Sequence, residues 1–140
     1  MIMGTGLRFI DTHMIKAGAD LSYADLTGVV LRHRDLRGVN LSHSYLERCI
    51  LRGADLSGAN LVGCILPDSN LREVNFTGAN LSGANLRHAD MTDSILVGTI
   101  FKGANLKGTR FWGYEFEGAN FRGSNFSEAR ITLDESPRTL

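Results

Sequence analysis

An apolar residue recurs at every fifth position of this chain from Leu21 to Ile131, twenty-three times in unbroken register. Two residues before each comes a small side chain, drawn from Ala, Ser, Thr, Cys and Val, in twenty-one of the twenty-three cases; the exceptions are Arg34 and Tyr114. The position between the two is often Asp or Asn, as in Asp20, Asp55, Asn60 and Asn85. Two residues after the apolar position, glycine stands thirteen times, as at Gly53, Gly58, Gly78 and Gly83.

A period of five suits neither a helix, whose face returns after three or four residues, nor an extended strand, whose face returns after two. It suits a chain that turns a corner every five residues. The small and the large apolar residue lie two apart and point the same way, inward, while the Asp or Asn between them points outward. Glycine supplies the turn, where positive φ is needed. Four corners close a square of twenty residues, so that Leu21, Leu41, Leu61, Leu81, Phe101 and Phe121 stack in one column.

The stretches ADLSGANL (54–61), GANLSGANLRHADM (78–91) and GANFRGSNF (118–126) resemble, nearly letter for letter, the A(D/N)Lxx consensus of the pentapeptide-repeat family. The resemblance covers residues 18 to 133. It implies an all-β fold, a right-handed quadrilateral parallel β-helix of about six coils, and at about 4.8 Å per coil a rod roughly 27 Å long. Residues 1–17 break the register and are expected to form an irregular N-terminal cap, with Phe9 and Met14 inward and Thr12 as the small residue. A cap is needed because an open coil edge recruits other chains. Residues 18–133 form the β-helix, and 134–140, DESPRTL, a C-terminal tail.

Charge balances at 15 basic against 15 acidic residues, so a charged partner must be read by a local pattern and not by net attraction. The N-terminal stretch interrupts its apolar residues with Arg8 and Asp11 and fits neither a spanning helix nor a signal peptide; the expected location is cytoplasmic. Cys49 and Cys64 both occupy the small inward position and are expected to be buried free thiols, compatible with a reducing compartment.

Catalytic and metal readings find no residues to carry them. His33 and His43 are half a coil apart, on opposite sides, and cannot share a metal. A filled prism has no natural pocket, so no cofactor and no enzymatic activity is expected. More informative are the outward residues sorted with a period of twenty. On the side of Leu31, Leu51 and Leu71, Arg32, Arg52 and Arg72 form an arginine ladder, and the same side bears Arg110 and Arg130. Like charges about 4.8 Å apart repel, so the ladder needs counter-charge. Asp35 and Asp55, three residues after Arg32 and Arg52, are one source; an anionic partner, phosphate or an acidic protein surface, is the other. A second candidate surface is apolar, comprising Ile95, Val97, Ile100, Trp112, Tyr114 and, at the C-terminal end, Phe126. Arg34, in a small-residue position, calls for a local bulge and a carboxylate, Asp11 or Asp35.

These features point to a non-enzymatic interaction module that presents a rigid surface to a protein partner, with a homodimer through the C-terminal coil. The resemblance implies a second reading, since some members of the family resemble a DNA duplex in width and charge, bind DNA gyrase and protect it from topoisomerase poisons. Those members are markedly acidic, which ranks gyrase behind another protein partner for a charge-balanced chain.

Overall fold

The computed structural model describes residues 10–112 and 117–132, without the side chains of the last two. Among the described residues, the five-residue units are closed by turns. The carbonyl of Leu61 accepts from the N–H of Cys64 at 3.1 Å, and Gly63 between them has φ 65°. Positive φ at the third residue is the mark of a type II turn, which is why glycine gathers there. Where the sequence offers no glycine, nine other residues, among them His33, Arg48, Asp68 and Glu128, adopt the same conformation with φ of 55° to 62°. Each such departure costs on the order of 1 kcal/mol and persists because the neighbouring coils hold it.

The coils are joined by a parallel ladder with an offset of twenty residues. Leu61 donates its N–H to the carbonyl of Asn80 at 2.7 Å, Gly63 to that of Ser82 at 2.9 Å, and Asn80 to that of Ala59 at 3.0 Å. Bridges Asn40↔Asn60, Asn60↔Asn80 and Asn105↔Asn125 keep this offset along the rod. A corner every five residues leaves so little extended backbone that pairing is confined to single bridges over most of the chain. On the Leu31 side it lengthens into three-residue strands, β1 (Asp90–Thr92), β2 (Arg110–Trp112) and β3 (Arg130–Thr132), parallel and in the order β1-β2-β3. Thr92, Trp112 and Thr132, at the position after the apolar residue, are residue types that favour extended backbone.

Inside the coils, the apolar column and the small column make one continuous core. Leu36, Leu46, Leu56, Leu66, Phe76 and Leu86 have no exposed surface, and neither do Ala79, Ala84 and Ala89. Full burial of such a large side chain contributes about 1.5–3 kcal/mol. Polar residues in small positions are satisfied by backbone: the hydroxyls of Ser44 and Ser69 donate to the carbonyls of Leu41 and Leu66, and those of Thr99 and Thr109 to Phe76 and Leu86 one coil away. Cys49 and Cys64 are free and buried; burial pushes the Cys64 thiol up to about 12 and raises that of Cys49 as well.

The Asp or Asn of each unit has a local task that periodicity alone does not reveal. Its Oδ1 accepts the N–H two residues on, as Asn60 does from Val62 at 3.1 Å and Asn80 from Ser82 at 3.0 Å. This is an Asx turn across the corner, and it satisfies the one backbone N–H that the ladder leaves free. Side-chain bonding from coil to coil is represented by Asn40 Nδ2, which donates to Asp20 Oδ1 at 3.3 Å.

At the N-terminal end, Thr12–Met14 forms a short 3₁₀ turn with Asp11 as its cap, accepting from the N–H of His13. The inward residue here is Ile15, which is buried, and not Met14, which is 44% exposed. Phe9 lies outside the described residues. Arg34 does not enter the core: it is exposed, and its Nη2 donates to the carbonyl of Ile15 at 2.8 Å. An unpaired backbone oxygen of the irregular end replaces the carboxylate expected for a buried guanidinium. Towards the other end, Phe101 and Phe121 stack at 4.8 Å between ring centroids, with Phe111 edge-on to both.

Candidate functional site

The ladder of arginines expected on the Leu31 side separates into two groups. Arg32, Arg52 and Arg72 follow the apolar residue, whereas Arg110 and Arg130 precede it, so the two groups flank opposite edges of the same side. Arg52 donates through Nη2 to Glu73 Oε1 at 3.1 Å, and this hydrogen bond, more than any other influence, lowers the Glu73 carboxyl below its usual range. Asp35 and Asp55 are engaged elsewhere. Asp35 receives Nε and Nη2 of Arg37, both at 2.8 Å, which holds its carboxyl at about 2, and Asp55 accepts from Ser57. The expected pairs Arg32–Asp35 and Arg52–Asp55 are therefore replaced. The carboxylate turns forward across its own corner, and the partner two residues on reaches it before the arginine three residues earlier can. Arg32 is exposed, and Nε of the half-buried Arg72 has no hydrogen-bond partner.

Arg110 and Arg130 come together. They are Cα partners across β2 and β3, one coil apart. Arg110 Nη1 lies 3.9 Å from Asp90 Oδ2, a loose contact between a largely exposed guanidinium and a mostly covered carboxylate. Beside them the turn residues His88, Gly108 and Glu128 stack on successive coils, and the five residues line a shallow cavity of about 290 Å³. The sequence contained its components but not the hollow, because only the fold brings residues twenty and forty positions apart to one surface.

The apolar candidates are dispersed. Ile95, Val97 and Ile100 are half-buried, with Ile95 bridged to Asn75 and Ile100 to Asn80 and Asn120. Trp112 is 40% exposed on the same side as the arginines. Phe126 is half-buried and packs with Phe111 and Phe121. Tyr114 lies outside the described residues. Exposed apolar surface that sequence reasoning did not single out comes from Tyr23, Val30 and Tyr45, and the Tyr23 ring stacks on His43 at 5.1 Å.

The three repeat histidines do not converge. Each holds positive φ in its turn and lays its ring over the glycine one coil on, His33 over Gly53, His43 over Gly63 and His88 over Gly108. Among the described residues, no three His, Cys, Asp or Glu side chains lie together in a way that would hold a metal ion, and no helix is long and apolar enough to cross a membrane.

The chain is similar to proteins of known structure that share this architecture. A pentapeptide repeat protein, Rfr23, from the cyanobacterium Cyanothece 51142 is 25% identical, with a TM-score of 0.59 over 83% of this chain and 86% of its own. A pentapeptide repeat protein of the Arabidopsis thaliana thylakoid lumen is 27% identical, with a TM-score of 0.46 over 94% of this chain and 79% of its own. QnrB1, a plasmid-mediated fluoroquinolone resistance protein, is 21% identical in its trypsin-treated R167E form, with a TM-score of 0.53 over 83% of this chain and 76% of its own. No curated protein matches the sequence significantly. The family described as Pentapeptide repeats matches in eight copies, over residues 17–53, 54–93 and 99–133. With most of its length covered by these repeats and the twenty-residue ladder in place, this chain belongs to the pentapeptide-repeat family.

Proposed function

We propose that the protein is a non-enzymatic interaction module, a right-handed four-sided rod of about six coils that presents fixed outward side chains to a protein partner. The observation that carries this reading is the ladder itself. Among the described residues, the corners are tied to their neighbours by backbone bonds and the apolar columns are filled, so outward residues such as Arg52, Arg72 and Trp112 sit on a scaffold with little freedom left to lose at binding. The Leu31 side is the favoured contact face, because it combines incompletely neutralised arginines with the exposed ring of Trp112, the residue types that dominate protein interfaces. The half-buried Phe121 and Phe126 support a homodimer through the C-terminal coil, with residues 1–17 as cap and 134–140 as tail. Two free buried thiols go with a cytoplasmic location.

Capture from the native host with the intact chain and with a Trp112→Ala/Arg72→Glu variant tests the face. One protein retained by the intact chain and lost from the variant is the expected result; equal retention by both, or by neither, overturns it. The gyrase reading has the likeness to QnrB1 behind its fold alone and a balanced charge against it. An assay of gyrase supercoiling separates the two, and no inhibition is expected.

A further inference from the structure

The hollow beside His88 has a composition that neither the repeat nor the packing of the core requires. Its back wall is the turn at Gly108, whose φ of 69° suits glycine. Its upper edge is the His88 ring, so close that a Cβ at position 108 would stand 2.3 Å from Nδ1. Its flank is the pair Arg110 and Arg130, in register on adjacent strands, and its lower edge is Glu128.

Two guanidinium groups on neighbouring rungs repel unless counter-charge sits between or beside them. The carboxylates at hand supply it only in part. Asp90 reaches only to 3.9 Å from Arg110, because its Oδ1 is engaged by the N–H and hydroxyl of Thr92. Among the described residues, Arg130 forms no ion pair and Glu128 forms none with either arginine. Arginine forks match the oxygens of tetrahedral anions two at a time, and an imidazole N–H adds a further donor. An acceptor such as Glu128 on the rim then favours an anion that still carries a proton, whose O–H donates to the carboxylate, over one that carries none.

We infer that this hollow is a binding site for hydrogen phosphate, free or as a singly protonated phosphate monoester, with Arg110 and Arg130 as the anion clamp, His88 as an additional donor and Glu128 as the group that reads the retained proton. The inference stands independently of which protein docks on the rod. Nuclear magnetic resonance titration of the intact chain with inorganic phosphate, phenyl phosphate and sulfate, at pH about 6, where a phosphate monoester still carries a proton in good part, and at constant ionic strength in chloride, tests it through the His88 ring and the arginine Nε resonances. Saturable shifts confined to His88, Arg110 and Arg130, several-fold weaker for sulfate, are expected. They vanish in Arg110→Gln/Arg130→Gln, while Glu128→Gln brings sulfate close to phosphate. Tighter binding of phenyl phosphate assigns the site to the phosphate group of a larger ligand, and tighter binding of inorganic phosphate to the free anion. Shifts shared by Arg32 and Arg52, equal affinity of the intact chain for sulfate and phosphate, or binding that survives loss of both arginines overturns it.

Discussion

The ring of His33 lies over Gly53 one coil further on, so close that a Cβ at position 53 would stand 2.2 Å from its Nδ1. Gly58, in the next corner, has a similar φ of 66° with nothing within 4 Å of the same added atom. Gly58→Ala therefore meets only the backbone penalty of the left-handed region, about 1 kcal/mol. Gly53→Ala meets the same penalty and must also displace the imidazole. Chemical denaturation of both variants is expected to show the larger loss at position 53, with the excess removed in His33→Ala/Gly53→Ala. Equal losses without rescue would place the ring elsewhere.

Leu61 and Leu81 are fully buried between coils that cannot collapse into a gap, so either Leu→Ala change is expected to lose about 2–5 kcal/mol. Ser82 is outward and half-buried, and its hydroxyl donates to Asn80 Oδ1 at 2.6 Å. Ser82→Ala forfeits that one bond, about 0.5–1.5 kcal/mol at most, and leaves the Asx turn of its own N–H intact. Denaturant midpoints that fail to separate the two classes contradict the inward and outward assignment.

Asp35 is held at about 2 chiefly by its side-chain hydrogen bond from Arg37. A carboxyl whose pKa is lower in the folded chain than in the unfolded one, where it is about 3.9, stabilises the fold above that value. The contribution fades as pH falls from about 4 through about 2. Asp35→Asn is expected to flatten the melting temperature over that interval and to leave its pH dependence near neutrality unchanged. An unaltered acid limb in the variant would show that the pair contributes nothing; its exposure to solvent already keeps the effect small.

The proposed dimer through the C-terminal coil would make the half-buried Phe126 the sensitive position. Sedimentation equilibrium at tens of micromolar is expected to give a dimer for the intact chain and a monomer for Phe126→Glu. A monomeric intact chain removes the dimer.

How much of this was legible in the sequence differs from one residue to the next. The triad Ala59, Leu61 and Gly63 announces its inward pair and its corner, because a repeated unit must solve the same steric problem each time. Residues outside the repeat carry no such constraint. Met14 and Ile15 are both apolar, and only the 3₁₀ turn at Thr12–Met14 decides which of them enters the core. The partners of the arginines were illegible for another reason. Spacing places Asp35 near both Arg32 and Arg37, and the Asx turn settles the choice by turning the carboxylate forward. The hollow is lined from three successive coils, with the His88 ring laid over Gly108, an arrangement that no single five-residue unit contains.

The functional account depends on rigidity that is even along the rod, and native-state hydrogen exchange measures it residue by residue. The N–H of the apolar residue donates to the next coil, as Leu41 does to Asn60 and Leu61 to Asn80, and those amides are expected to exchange slowly and at similar rates from Leu41 to Leu86. The following residue, whose N–H reaches only an Asx side chain, as in Ser42, Val62 and Ser82, is expected to exchange faster, giving protection with a period of five. Slow exchange in a few coils beside rapid exchange in others, or protection without that period, would contradict a rod that holds its binding face ready.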